Sequence, residues 1–232
     1  MKKEHYCQIL ILFLFILCSS CSNKKQLDLG SFEISVPKNW AFKPIKVIDT
    51  YAGEINGPDI IITFDLSNQG LVSSLMETEK DFLTINQDLL TRFPDEPIDT
   101  VAERVDAITD LFLTGKIKPA ILKDTIVTIL KINNEQKLQY PKADYIATLK
   151  ISGQVRYVAI TVPQLIKSHH IIVDTIGNYF RKTIWPKVPG IGMTGVYFHS
   201  RTSDFNFQMN AKNLSLENQE QALAAFKTIK FK

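Results

Sequence analysis

Apolar and polar residues alternate over Phe32-Glu33-Ile34-Ser35-Val36, and Pro37-Lys38-Asn39-Trp40 ends the run. This is the pattern of a half-buried strand closed by a turn. Tyr51 to Ile55 and Ile60 to Leu66 flank Asn56-Gly57, a dipeptide favoured in tight hairpins, and Pro58 directly after it predicts a wider loop. From 71 to 93 the period changes. Met76, Leu83 and Leu90 recur every seven residues with Phe82, Leu89 and Phe93 beside them, which predicts a helix with one apolar stripe, broken by Pro94 and Pro97. A second stripe runs through Ile98, Val101, Val105, Ile108 and Phe112, with Thr100 and Glu103 spaced as a capping box and Gly115 at the exit.

Strand signals return after 119. Ile126 to Ile132, Tyr145 to Ile151, Val155 to Val162 and Ile171 to Asp174 are rich in Val, Ile, Tyr and Thr, and Ser152-Gly153 predicts a hairpin between the second and third. Asp204 to Asn210 alternates most cleanly, which sends Phe205, Phe207 and Met209 into a core and leaves the other four side chains in water. A helix is expected from Ser215, with Leu216, Leu223 and Phe226 on one face, and then a short alternation at Ile229 and Phe231. Strands, two helices, many strands, helix and strand describe an α+β fold: a mainly antiparallel sheet packed by a helical hairpin and a C-terminal helix. The expected organisation is one domain over 30–232 with a helical insertion at about 71–118.

Composition narrows the function classes. The 232 residues are 45% hydrophobic, and 27 basic against 24 acidic side chains leave a net charge of only +3, too small and too dispersed for a nucleic-acid partner. The first 25 residues carry an address. Lys2 and Lys3 precede an unbroken apolar run from Ile9 to Leu17, followed by Cys18-Ser19-Ser20-Cys21. Nine apolar residues fall well short of the ~20 that span a bilayer and suit the core of a signal peptide.

Leu17 to Cys21 resembles the lipobox of bacterial lipoprotein signal peptides, with Ser20 and Cys21 in place and Cys18 where an aliphatic residue is usual. The resemblance implies a signal peptide over 1–20, acylation of Cys21, membrane attachment through that lipid, and a lipidated tether over 21–29. It also implies a mature chain without free thiols, because Cys7 and Cys18 leave with the signal. Surface export in lipoproteins of the Bacteroidota is marked by acidic residues just after the lipidated cysteine, and none stands at that place here, which favours an outer-membrane protein facing the periplasm. Further along, Phe32 to Trp40, Ile48 to Glu54, Trp185 to Phe198 and Phe226 to Phe231 resemble uncharacterised Bacteroidota lipoproteins. The opening and closing segments are loosely similar to PsbP/Mog1-type α+β folds, a likeness that transfers no function.

Candidate chemistry is sparse. Gly190-Ile-Gly192-Met-Thr-Gly195 matches G-x-G-x-x-G, but Trp185-Pro-Lys-Val-Pro189 precedes it and a strand-like Val196-Tyr-Phe-His199 follows it, so a glycine loop between strands is expected rather than a phosphate cradle. His169 and His170 are adjacent and would point to opposite faces of a strand, which separates them as metal ligands. No cofactor motif and no hydrolase, zincin, Walker or EF-hand pattern occurs. The segment from Asn178 to Gly192 is chemically richest. Tyr179, Arg181, Lys182, Trp185 and Lys187 crowd toward a Pro/Gly loop holding Gly190 and Gly192, and aromatic plus cationic groups on such a loop suit an envelope protein or a glycan. A strand with aromatics turned inward and lysines outward satisfies the same residues. The expectation is a binding or assembly module, with an envelope enzyme of hydrolase type lacking a recognisable motif as the alternative.

Overall fold

The computed structural model describes residues 23–48, 50–92 and 125–232. In chain order the strands are β1 (Lys24–Asp28), β2 (Phe32–Pro37), β3 (Ala41–Ile45), β4 (Tyr51–Gly57), β5 (Ile60–Ser67), β6 (Thr125–Lys131), β7 (Tyr145–Ile151), β8 (Gln154–Ile160), β9 (His169–Ile176), β10 (Tyr179–Pro186), β11 (Met193–Ser200), β12 (Asn206–Lys212) and β13 (Lys230–Phe231). The helices are α1 (Glu79–Arg92), α2 (Asn134–Gln139), α3 (Gln164–Lys167) and α4 (Leu216–Phe226). Three sheets result, in the orders β1-β2-β13, β3-β4-β5-β12-β11-β10-β9 and β6-β7-β8. The pairs β1·β2, β2·β13, β3·β4, β4·β5, β5·β12, β11·β12, β6·β7 and β7·β8 are all antiparallel, so the fold is α+β with mainly antiparallel sheets.

The described residues group into two compact units. The first contains 23–73, 173–183 and 189–232 among the described residues; the second contains 74–172 and 184–188. The expected insertion at 71–118 holds α1, and β6, β7 and β8 pack with it around a core of their own. Its second helical stripe, 98–112, lies outside the described residues.

In the first unit the period-two pattern does what it predicts. Phe32, Ile34 and Val36 of β2 are fully buried against Ile60, Ile62, Phe64 and Leu66 of β5, Val196 and Phe198 of β11, and Phe207 and Met209 of β12. Ring contacts knit this core, with Phe32 edge-on to Phe64 at 5.1 Å and to Phe207 at 4.8 Å. Helix α4 adds Ala222, Ala225 and Phe226. Ser215 caps its start by accepting from the Asn218 amide at 3.3 Å. Near its end the Thr228 hydroxyl donates to Ala225 O at 2.6 Å and accepts from the Ser35 amide at 2.8 Å, which ties the helix to β2.

Several local expectations shift, each for a physical reason. Lys24 to Asp28, expected within the 21–29 tether, forms β1, because Leu27 packs against the core and the rest of the segment follows its pleat. The β4–β5 turn is Pro58-Asp59, with Gly57 paired to Ile60, because Gly57 must lie flat under the Trp40 ring. Asp59 takes the positive φ of that turn. Asn206, expected in water, is buried: its amide donates to Val72 O at 2.9 Å and its carbonyl accepts from the Val72 amide at 3.3 Å.

The second unit is built on β6-β7-β8. Val127, Ala147, Leu149 and Ile160 face Leu90 of α1, with Phe82, Leu83 and Ile129 around them. The helix begins at Glu79, later than the apolar stripe suggests, because Thr78 and Asp81 cap it reciprocally: the Asp81 amide donates to Thr78 Oγ1 at 3.0 Å and the Thr78 amide to Asp81 Oδ2 at 3.2 Å. Met76 thus lies before the helix. Ser152-Gly153, both at positive φ, form the expected β7–β8 turn.

Candidate functional site

The aromatic and cationic segment 178–192 folds mostly as a strand. After a turn at Gly177, β10 runs from Tyr179 through Trp185 and Pro186, so the loop proper is 187–192 and β11 starts at Met193. Trp185 is therefore a strand residue. The seven candidate residues divide between the units: Tyr179, Arg181, Lys182, Gly190 and Gly192 belong to the first, Trp185 and Lys187 to the second.

In the first unit the pleat separates neighbours. Tyr179 turns to the core and meets the rings of Phe231 at 4.9 Å and Phe205 at 5.6 Å. Arg181 forms a two-pronged ion pair with Asp174 of β9, with Nε donating to Oδ1 at 2.8 Å and a second nitrogen to Oδ2. The guanidinium beside it holds the Asp174 carboxyl below the usual carboxylate range. Lys182, on the opposite face, lies 5.9 Å from the centroid of the Tyr197 ring. Gly190 and Gly192 both have positive φ, a region favouring glycine, and the loop is pinned to the β12–α4 connection. The Gly190 amide donates to Leu214 O at 2.7 Å, the Gly192 amide to Asn213 Oδ1 at 3.0 Å, and the Asn213 amide to Gly192 O at 2.8 Å. The amides of both glycines are thus already engaged, and the G-x-G-x-x-G run leads into a strand rather than a helix.

In the second unit Trp185 stacks on the exposed ring of His170 at 5.1 Å. Lys187 Nζ donates to Lys167 O at 2.6 Å and its amide to Ser168 O at 2.9 Å. His169 is buried, with Nδ1 2.7 Å from Leu165 O, so the two adjacent histidines do face opposite ways. His199 of β11 has a buried Nδ1 without a hydrogen-bond partner. Among the described residues no three His, Cys, Asp or Glu side chains converge to hold a metal.

One polar contact has no trace in the sequence. The Tyr145 hydroxyl of β7 donates to Glu79 Oε1 at the start of α1 at 2.5 Å. The hydrogen bond to this carboxylate, with burial and its charge, pushes the Tyr145 phenol up to about 12. The pair lines an open groove of about 380 Å³ with Lys80, Leu83, Gln87 and Ile129. Sixty-six residues separate the partners, so only folding brings them together. A larger open groove of about 740 Å³ lies in the first unit beside Gly57, Asp59, Ile61, Asn210, Lys212 and Leu214. No protein-family model matches the chain, and no curated protein matches it in sequence.

Proposed function

We propose that this chain is a lipoprotein of the bacterial envelope, anchored in the outer membrane by lipid on Cys21 and facing the periplasm, where it acts as a binding or assembly module. The observation that carries this reading is the N-terminal sequence: two lysines, nine apolar residues, and small residues leading into a cysteine. Membership of the uncharacterised Bacteroidota lipoproteins is part of the proposal and adds no activity to it. Because β1 starts at Lys24, the tether shortens to Cys21, Ser22 and Asn23. A second helix over 98–112, completing a hairpin with α1, belongs to the same reading, since its single apolar stripe requires a partner.

Binding is favoured over envelope hydrolysis because both grooves are open to solvent rather than deep. The partner classes that suit the segment are an envelope protein or a glycan. Cys21→Ala tests the anchor: expression of the full chain should yield an unacylated precursor by mass spectrometry, or protein released from membranes. Acylated, tightly membrane-bound protein from that variant would refute the reading.

A further inference from the structure

One end of the first unit gathers the features of a lipid-facing surface. The chain enters β1 at Asn23, whose carbonyl accepts from the Lys38 amide at 3.1 Å in the β2–β3 turn. That turn is joined to the β4–β5 turn by Trp40 lying on Gly57. The β4–β5 turn is joined to α4, because the Asn218 amide side chain donates to Asp59 O at 3.1 Å. The start of α4 is joined to the 187–192 loop by Gly190, Gly192, Leu214 and Asn213, as described above. Antiparallel register places the end of β12 at Lys212 opposite the start of β11 at Met193, at this same end.

Two large apolar side chains of the first unit stand out there in water: Ile191 at the loop tip is 74% exposed and Leu216 at the start of α4 is 56% exposed. Lys24, Lys38 and Lys212 are exposed around them, Lys25 is half-buried, and Asp59 and Glu217 are the acidic residues of these turns. Basic side chains ringing exposed apolar ones complement an anionic lipid surface, where the lysines meet headgroups and the apolar residues enter the interface. The chain leaves this end through Asn23, and Cys21 is two residues further on.

We propose that this end of the first unit docks on anionic phospholipid, with Ile191 and Leu216 inserted and Lys24, Lys38 and Lys212 on the headgroups. The inference rests on acylation of Cys21, since a tether of three residues reaches only ~10 Å and holds this end, and no other, at the bilayer. The opposite end of β12, at the Arg201–Phe205 loop, lies ~24 Å away for seven strand residues and should stay in water.

The test uses the full-length lipoprotein purified from membranes. Ile191→Cys or Ser203→Cys is labelled with an environment-sensitive fluorophore and reconstituted into phosphatidylethanolamine–phosphatidylglycerol vesicles containing a lipid-borne quencher. Mass spectrometry first establishes acylation; an unacylated chain overturns both the anchor and the docking. With acylation present, quenching at 191 should exceed that at 203 at least threefold, and Lys24→Glu with Lys212→Glu should reduce it at least twofold while leaving the thermal melt unchanged. Equal quenching at the two sites overturns docking and leaves the anchor standing. So does a label at 191 shielded from aqueous iodide yet untouched by the lipid quencher, which would report a protein partner there.

Discussion

A Cβ built on Gly57 would sit 2.2 Å from Trp40 Cδ1, and Trp40 is itself fully buried, so neither group has room to retreat. Gly57→Ala should cost ~1–3 kcal/mol by overpacking and lower the thermal midpoint by several degrees. Asn206→Leu tests a different force. It strips both partners from the Val72 backbone, and an unpaired buried polar group costs ~1–3 kcal/mol, which chemical denaturation would register as a lower midpoint. Trp185→Ala removes a half-exposed ring stacked on His170, so its effect should be well below the ~3–5 kcal/mol of a core tryptophan. At Tyr145 the carboxylate of Glu79 raises the phenol to about 12, which stabilises the fold below the ordinary tyrosine range and is lost as pH rises through that value. Glu79→Gln should lower the titration midpoint of one tyrosine from about 12 toward the ordinary tyrosine range in ultraviolet absorbance.

Helix α1 lies on the three-stranded sheet of the second unit through Leu90, Leu83 and Phe82, and its start depends on the Thr78–Asp81 cap. Thr78→Ala should weaken the helix by ~1 kcal/mol, and amide exchange should accelerate in β6 to β8 while β5 and β12 keep their protection. Elements such as these differ in how openly the sequence announced them. β2 was legible because its apolar face repeats often enough for the pleat to show, and β7 and β8 because they are rich in Val, Ile, Tyr and Thr around the Ser152-Gly153 turn. β1 was hidden because its burial rests on Leu27 amid lysines, glutamine and aspartate. The start of α1 was obscured by Met76, which has the right spacing and lies outside the helix. At the candidate site, the sequence left both a strand and an exposed aromatic loop open for Tyr179 to Lys187. The ion pair of Arg181 with Asp174, the stacking of Trp185 on His170 and the Tyr145–Glu79 contact depend on which strand and helix become neighbours, and single-sequence periodicity contains no such term.

Each unit has a separate core, so the molecule should not respond to core damage as one body. Phe207→Ala in the first and Leu149→Ala in the second, both fully buried, should cost ~3–5 and ~2–5 kcal/mol and move different parts of the denaturation profile, followed by exchange protection in β12 and in β7. Acid should act on both units. At Asp28 and Asp174 hydrogen bonds from Lys232 and Arg181 lower the carboxyl. At Asp144 burial raises it, but Lys167 and the Val162 amide outweigh that and leave it lowered. Depressed folded pKa values give stability that is complete above the unfolded value of ~4 and is lost as pH falls below it. The thermal midpoint should therefore hold from neutrality to about pH 5 and decline below pH 4.

The last strand of the chain, β13, pairs with β2, and Lys232 reaches back to Asp28 at 2.6 Å across 204 positions of sequence. The first unit is thus assembled from segments far apart in sequence, whereas the second comes almost entirely from one stretch between them. Loop closure of that span must precede any reward from the β2–β13 contacts, so the first unit should be the slower to form. During synthesis it would also wait for β13, while the second unit has all but 184–188 in hand much earlier. On refolding from denaturant, exchange protection in β2 should therefore appear after that in β7.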